Sequence, residues 1–343
     1  MDIIDLRSDT VTRPCKKMIE AMFQAKVGDD VFEEDETVKF LEQKLAKIFG
    51  MEAGLFCPSG TMANQIAIKI LTQPGDEVIC DALSHIYNYE GGGIAFNSGA
   101  SVRLINGDKG IFSAADVLEN INPENIHLAK SSLVSIENTS NRGGGSCWKK
   151  EEVIAISNVC KNHNLNFHLD GARIFNALIK TGESPQDYAN LFNTISVCLS
   201  KGLGTPAGSV MIGKEELIKK ARRVRKVMGG GMRQVGYLAA AGIYALENNI
   251  ERLVEDHRRA KVLEEYVKEF SFIEEVFPVE TNIVVFKLND SVKSLHLVAL
   301  LEKEGIRTVT FGKQAIRMVT HLDIDDSKLE RAIVALKKIK NNF

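Results

Sequence analysis

Between residues 76 and 213 the chain alternates short, nearly unbroken apolar runs with longer stretches whose apolar positions recur every three or four residues. The short runs are DEVICD, SVRLI, SLVSIEN, NFHLDG, TISVCLS and GSVMIG. They are rich in β-branched side chains and bounded by glycine, asparagine or aspartate, the pattern of strands buried on both faces. Among the longer stretches, 62–71 places Ala63, Ile66, Ala67 and Ile70 on one helical face, and 215–227 does the same with Leu217, Ile218, Ala221 and Val224. A third helix is predicted over 151–162. Strands alternating with helices predict an α/β fold, a mostly parallel sheet covered on both faces. From about residue 250 the rhythm changes to a long charged helix and then the runs TNIVVFKL and AIRMVTH, which predicts a smaller α+β domain. The expected division is 1–250 and 251–343, since 343 residues exceed what one core usually serves.

Composition narrows the class. Hydrophobic residues make up 44% and charged residues 26%, ordinary for a soluble globular protein. A net charge of −2, from 43 basic and 45 acidic residues, gives no reason to expect nucleic acid or an anionic membrane as partner. No apolar run approaches the length that spans a bilayer, and MDIIDLRSDT lacks the apolar centre of a secretory signal. Cys15, Cys57, Cys80, Cys147, Cys160 and Cys198 match neither a CxxC pair nor a zinc spacing, and His163 and His168 lack metal-ligand spacing. Reduced thiols, a cytoplasmic setting and no metal site are the expectation.

In open parallel sheets, ligands gather at the carboxyl ends of strands. Asp170 closes one run, Lys201 follows another, and Glu137 with Asn138 closes a third. An amine and a carboxylate at the ends of neighbouring buried strands can hold a pyridoxal phosphate ring, the lysine bonding its aldehyde carbon and the aspartate pairing with its nitrogen. Taken singly, Lys201 also reads as a solvated lysine and Asp170 as the cap of a following helix. CPSGTMANQ offers a phosphate cradle, because Ser59, Gly60 and Thr61 precede an amphipathic helix whose free N–H groups and dipole favour an anion. An ordinary helix cap reads the same way. An imidazole at His85 can stack on a pyridine ring or move protons, and His127 and His168 are similar candidates. Arg7, Arg173 and Arg317 can fork a substrate carboxylate or form surface ion pairs. The basic run ending at Lys226 reads as a solvated helix face, and three glycines before Arg233 predict a backbone that passes close to something, such as a neighbouring subunit.

Taken in order, the strings DLRSDTVTRP, VGDDVFEED, CPSGTMANQ, DALSHIYNYE, SIENTSNRGG, FHLDGARIFNA, CLSKGLGTPAGS, GGGMRQ and IRMVTH resemble L-threonine aldolases nearly end to end. These belong to the fold type I, aspartate-aminotransferase-like, pyridoxal-phosphate enzymes. The resemblance implies a large domain with a mostly parallel sheet of the seven-stranded type, the N-terminal segment near its active site, and a smaller C-terminal α+β domain. It implies pyridoxal 5'-phosphate as cofactor, a small amino-acid substrate, and a homotetramer built as a dimer of dimers. Lys201 would bond the cofactor and Asp170 would pair with the pyridine nitrogen. Arg173 would lie near the ring hydroxyl and the substrate. Ser59, Gly60 and Thr61 would hold the phosphate, with Ser200 also on the cofactor. His85 would stack on the ring. Ser8, Arg173 and Arg317 would clamp the carboxylate, and Arg233 and Lys226 would reach in from an adjacent subunit. The implied reaction is retro-aldol cleavage of L-threonine or L-allo-threonine to glycine and acetaldehyde, with His85, His127 or a water as base.

Three features depart from the family. Phe32 stands for a tyrosine and Glu33 for a glycine, so a lost hydroxyl and a backbone that resists φ > 0 are expected there. Gly92 and Gly93 predict a flexible loop after His85. Two rival readings remain. One keeps the cofactor but breaks another bond, by β-elimination, racemisation or aminotransfer. The other is a cofactor-less scaffold, which has no use for Lys201, Asp170 and Ser-Gly-Thr together.

Overall fold

A computed structural model of the chain describes residues 3–340. Its strands in chain order are β1 (Ile4–Asp5), β2 (Ala53–Cys57), β3 (Asp76–Asp81), β4 (Ser101–Ile105), β5 (Lys130–Glu137), β6 (Asn166–Gly171), β7 (Thr194–Cys198) and β8 (Ser209–Gly213). They continue with β9 (Ile273–Val276), β10 (Ile283–Leu288), β11 (Ile306–Arg307), β12 (Val309–Thr310) and β13 (Ala315–Val319). Seven form one sheet in the order β2-β8-β7-β6-β5-β3-β4. All are parallel except β8, which is antiparallel to both neighbours. Helices Lys150–Asn162 and Ile174–Thr181 join the parallel pairs β5–β6 and β6–β7, and Gly60–Leu71 carries the chain from β2 across the sheet to β3. Residues 199–208 alone link β7 to β8, too few for a crossover, so the chain turns straight back. Lys201 sits in that turn.

Every position of β8 is buried, as are most of β3, β5, β6 and β7, which explains their unbroken apolar runs. β2, AGLFC, carries a weaker signal because alanine and glycine open it. Gly54 is required there, since a Cβ would lie 2.7 Å from the Glu42 carbonyl oxygen.

A second sheet, β12-β13-β10-β9, is antiparallel. Its core, with Phe286, Met318, Leu301 and Leu336, also takes in Ile4 and Leu6, because β1 pairs in parallel with β11. Leu253 belongs to the core of the large sheet and Ala260 to the second core, so one helix, Leu253–Lys268, bridges them. The N-terminal chain therefore leaves the second core at Leu6 and threads residues 7–12 past the carboxyl edge of the large sheet. There the Thr12 hydroxyl donates to the Lys201 carbonyl at 2.9 Å.

Candidate active site

The chain runs from β3 outward to β4 and then returns to β5 on the other side of β3, which puts the switch point of the sheet between β3 and β5. The loop leaving β3 carries His85 and the loop leaving β5 begins at Asn138. Asp170 lies near the end of adjacent β6, 3% exposed, and Lys201 follows β7. β2 ends at the same edge and leads into the Ser59–Gly60–Thr61 turn, where Ser59 Oγ accepts the Met62 N–H at 3.2 Å and caps the helix. Gly60 closes on the sheet: a Cβ there would lie 2.9 Å from Cys198 Sγ.

The floor of the site is a buried polar network. Asn64 Nδ2 donates to Asp170 Oδ2 at 2.8 Å and to Glu90 Oε1 at 2.9 Å. Its Oδ1 accepts the Ser196 hydroxyl at 2.6 Å and faces His168 Nε2 at 3.2 Å. Glu90 also accepts Gln65 Nε2 at 2.6 Å and His85 Nδ1 at 2.9 Å. His85, Glu90 and Asp170 thus bring one ligand-type atom each within 4.8 Å of one another. Burial works to lower the His85 pKa, but the Glu90 hydrogen bond and the Asp170, Glu90 and Glu137 charges outweigh it and raise it. His168 differs: full burial pushes it down to about 4, and it serves as a neutral strut between Asn64 and Thr194. Glu137 accepts the N–H of His85 at 2.9 Å and of Asn141 at 3.0 Å, tying two loops together. Burial, then the Asp170 charge, push it up to about 7.

The wall toward the second sheet is cationic. Arg173, 5% exposed, donates from Nε and Nη2 to the two oxygens of Asp9 at 2.8 and 2.7 Å. Burial opposes the charge of Asp9, yet the Arg173 charge and hydrogen bonds, aided by Lys201, hold its carboxyl far below the usual range. Arg317, on β13, donates to Asn141 Oδ1 at 2.8 Å and to the Arg7 carbonyl at 3.0 Å, while its Nε is buried without a partner. Burial and the nearby Arg173 push its pKa down to about 10.

One chain therefore brings Lys201, Asp170, His85, Arg173, Arg317, Ser8, Ser200 and the Ser59–Gly60–Thr61 turn to one edge. Ser8 Oγ caps the short turn Asp9–Val11. Other residues fall elsewhere. His127 is exposed and precedes β5, whereas Glu137 ends it. Over the eight residues of β5 an extended strand rises roughly 23 Å, and His127 lies before its first residue, so a single chain does not bring His127 to the cluster. Arg7 forks the carboxylate of Asp5 at the surface, at 2.9 and 2.6 Å, so its guanidinium is already taken within the chain. Arg233 and Lys226 are exposed, and Arg233 pairs with Asp29 at 2.8 Å. The glycines before Arg233 serve contacts within the chain: a Cβ on Gly230 would lie 2.2 Å from Met62 Sδ, and one on Gly231 3.2 Å from Lys226 Cδ.

Two expectations need correction. Glu33 does adopt the left-handed conformation, at φ 58° and ψ 39°, so the missing glycine has not changed the backbone. Gly93 is buried and hydrogen-bonded to the Glu90 carbonyl at 2.9 Å, and a Cβ on it would lie 2.5 Å from the Gln65 side chain. This glycine serves close approach, letting Gln65 reach Glu90. The sequence reading also missed Asn64 and Asp9, whose partners Asp170 and Arg173 lie far along the chain, and Glu90 and Asn141, whose roles depend on how the loops fold back.

A family profile described as beta-eliminating lyase matches residues 5–291. The low specificity L-threonine aldolase of Escherichia coli K12 is 40% identical over 329 residues, covering 95% of this chain and 96% of that one. The low-specificity L-threonine aldolase 1 of Arabidopsis thaliana is 39% identical, covering 95% and 93%. Among solved structures, a Leishmania major threonine aldolase superposes with a TM-score of 0.86 at 22% identity, covering 98% and 99%. A Sphingomonas wittichii serine palmitoyltransferase follows at 0.77 and 16%, covering 99% and 88%. At such identities these two speak for the fold alone.

Proposed function

The chain belongs to the beta-eliminating lyase family and, within it, stands with the low-specificity L-threonine aldolases, and from that premise we propose that it cleaves L-threonine and L-allo-threonine to glycine and acetaldehyde. It is a pyridoxal-phosphate-dependent carbon–carbon lyase of fold type I. The observation that carries this reading is the placement of Lys201 just after β7 and of Asp170 at the end of adjacent β6, with the Ser59–Gly60–Thr61 turn on the same edge.

The residues fit the cofactor. Gly60 is the only side chain size that clears Cys198 beneath the cradle. The Asn138 side-chain amide, at the switch point, is buried with neither Nδ2 nor Oδ1 bonded by protein, so it is available to a polar ring substituent. Bound there, pyridoxal phosphate supplies an aldehyde that bonds the substrate amine and a protonated ring that takes up the electrons of the breaking bond.

The chain's own groups do the rest. Lys201 presents the amine that bonds the cofactor. Asp170, held by Asn64, keeps a proton on the ring nitrogen. Ser59, Gly60 and Thr61 would take the phosphate, and Ser200 would also bind the cofactor. Ser8, Arg173 and Arg317 hold the substrate carboxylate, which fixes the bond to be broken. The Glu90 carboxylate accepts the Nδ1 proton of His85, so Nε2 is the basic nitrogen and takes the β-hydroxyl proton as the Cα–Cβ bond breaks. Cα gains a proton, and glycine and aldehyde leave. His127 would enter a site only in another copy of the chain. A homotetramer, with Arg233 and Lys226 turned toward a neighbouring site, accords with their exposure. Six unpaired cysteines support a cytoplasmic setting, and no helix among the described residues is long and apolar enough to cross a membrane.

Incubation with each threonine diastereomer tests the reading. Glycine and acetaldehyde in equal amounts are expected; 2-oxobutanoate would assign the chain to β-elimination instead.

A further inference from the structure

The wall of the site holds one cation more than the reaction above uses, and we infer that this chain accepts β-hydroxy-α-amino acids bearing a second anionic group on Cβ, with Arg142 as the residue that recognises it. The inference rests on the aldolase reading and names a substrate class for that site.

Arg142 follows Asn141 in the loop after β5. The loop is fastened by hydrogen bonds from the Ser140 N–H to Ser146 O at 3.0 Å, the Gly145 N–H to Ser140 O at 2.8 Å, and the Gly143 N–H to Ser140 Oγ at 3.2 Å. Gly144 and Gly145, at φ 81° and 84°, keep the turn tight, and Gly143 passes so near the Lys109 carbonyl that a Cβ would lie at 1.9 Å. Arg142 thus leaves a fixed backbone. Its guanidinium carbon stands 3.9 Å from the centroid of the Phe311 ring, and that of Arg317 stands 5.6 Å from the same centroid. A guanidinium stacked on a ring keeps its N–H edges available for a fork. Among the described residues no carboxylate or carbonyl takes those edges.

The charges do not balance. Arg173 occupies both oxygens of Asp9. The α-carboxylate of an amino acid, held by Ser8, Arg173 and Arg317 together, then matches the one charge that Arg317 leaves open, and Arg142 keeps only neutral neighbours. The methyl group of threonine offers nothing to Arg142, whereas a carboxylate in its place would form a charge-assisted pair. For 3-hydroxyaspartate the Cα–Cβ bond breaks, the hydroxyl proton goes to the base, and Cα takes up a proton. Glycine and glyoxylate result, with no oxidant or reductant needed.

Two measurements on the cofactor-loaded enzyme decide the matter. Calorimetry compares binding of L-aspartate with L-asparagine, which differ in charge and scarcely in shape. Kinetics compare kcat/KM for L-3-hydroxyaspartate with that for L-threonine. The wild type should bind aspartate about tenfold more tightly than asparagine, the size of one charge-assisted pair, and should favour the hydroxyaspartate. Arg142→Gln should lower both ratios by about tenfold, and Arg142→Lys, which keeps charge but loses the fork, by less. Equal binding of aspartate and asparagine by the wild type, or ratios unchanged in Arg142→Gln, would overturn the inference. A wild type that binds both amino acids but cleaves neither substrate would overturn the aldolase reading instead, and the aspartate–asparagine comparison would still decide the role of Arg142.

Discussion

On the floor of the site each buried carboxylate meets its donors inside the protein, whereas along the wall Arg173 alone has its anion, Asp9, and two further cations wait on charge from outside. Asp170 has Asn64 and the Ala172 N–H, Glu90 has Asn64, Gln65 and His85, and Glu137 has two backbone N–H groups. Arg317 has two neutral oxygens and an unbonded Nε, and Arg142 has an aromatic ring. Burying a charge without partners is costly, so a matched network holds one geometry. An unmatched cation, by contrast, gains most when a carboxylate arrives. The floor is therefore expected to control the chemical step and the wall to control affinity.

The largest effects should come from the floor. Lys201→Ala should remove the yellow colour of the loaded enzyme and nearly all turnover; colour that borohydride still fixes to the protein would point to another lysine. Glu90→Gln comes next. It preserves size but removes the charge that orients and raises His85, and kcat for L-threonine should fall by about a hundredfold or more. His85 works as a base while neutral, so the rate climbs as pH rises through its pKa. Glu90 raises that pKa, and its loss should move the acidic limb of the pH–rate profile to lower pH. A lower rate with an unmoved limb would mean that Glu90 merely supports the fold.

These assignments were unequally legible in the sequence. Asp170 and Lys201 stand at the ends of apolar runs, and a strand end in a parallel sheet is a place that periodicity can find. Asn64 lies inside a helix whose apolar face had already explained it, and its partner Asp170 is 106 positions away. Asp9 meets Arg173 across 164 positions. No spacing rule reaches such distances; the topology of the sheet makes them neighbours. β1, two residues long and paired with β11, has no period to read, yet it decides that the N-terminal segment passes the active edge. His127 shortly precedes the run SLVSIEN, and that this end of β5 is the one away from the site follows only from the strand's direction in the sheet.

Along the wall a smaller effect of another kind is expected. Arg317→Lys keeps a positive charge and loses the planar fork. KM for L-threonine should rise about tenfold, the scale of one charge-assisted hydrogen bond, while kcat falls much less. Steady-state kinetics on both parameters check this. A fall confined to kcat would place Arg317 with the floor and erase the contrast between the two regions.

Outside both regions, Glu33 sets a baseline. At φ 58° it carries the cost of a side chain in the left-handed conformation, about 1–2 kcal/mol. Its contact with Arg222, 3.7 Å long and with Glu33 62% exposed, returns little. Glu33→Gly removes the strain but gives the unfolded chain more freedom, which takes back about 0.5–1 kcal/mol. The net expectation is a gain of about 0.5–1 kcal/mol, read as a higher urea midpoint at unchanged slope, with kcat and KM for L-threonine unaltered. Arg233 stands over the adjacent Phe32 ring at 5.9 Å and pairs with Asp29, so within one chain this corner forms a knob on the surface. If Glu33→Gly instead changed KM, the knob would have to touch substrate in an assembled enzyme, and the wall would then include residues from a second copy of the chain.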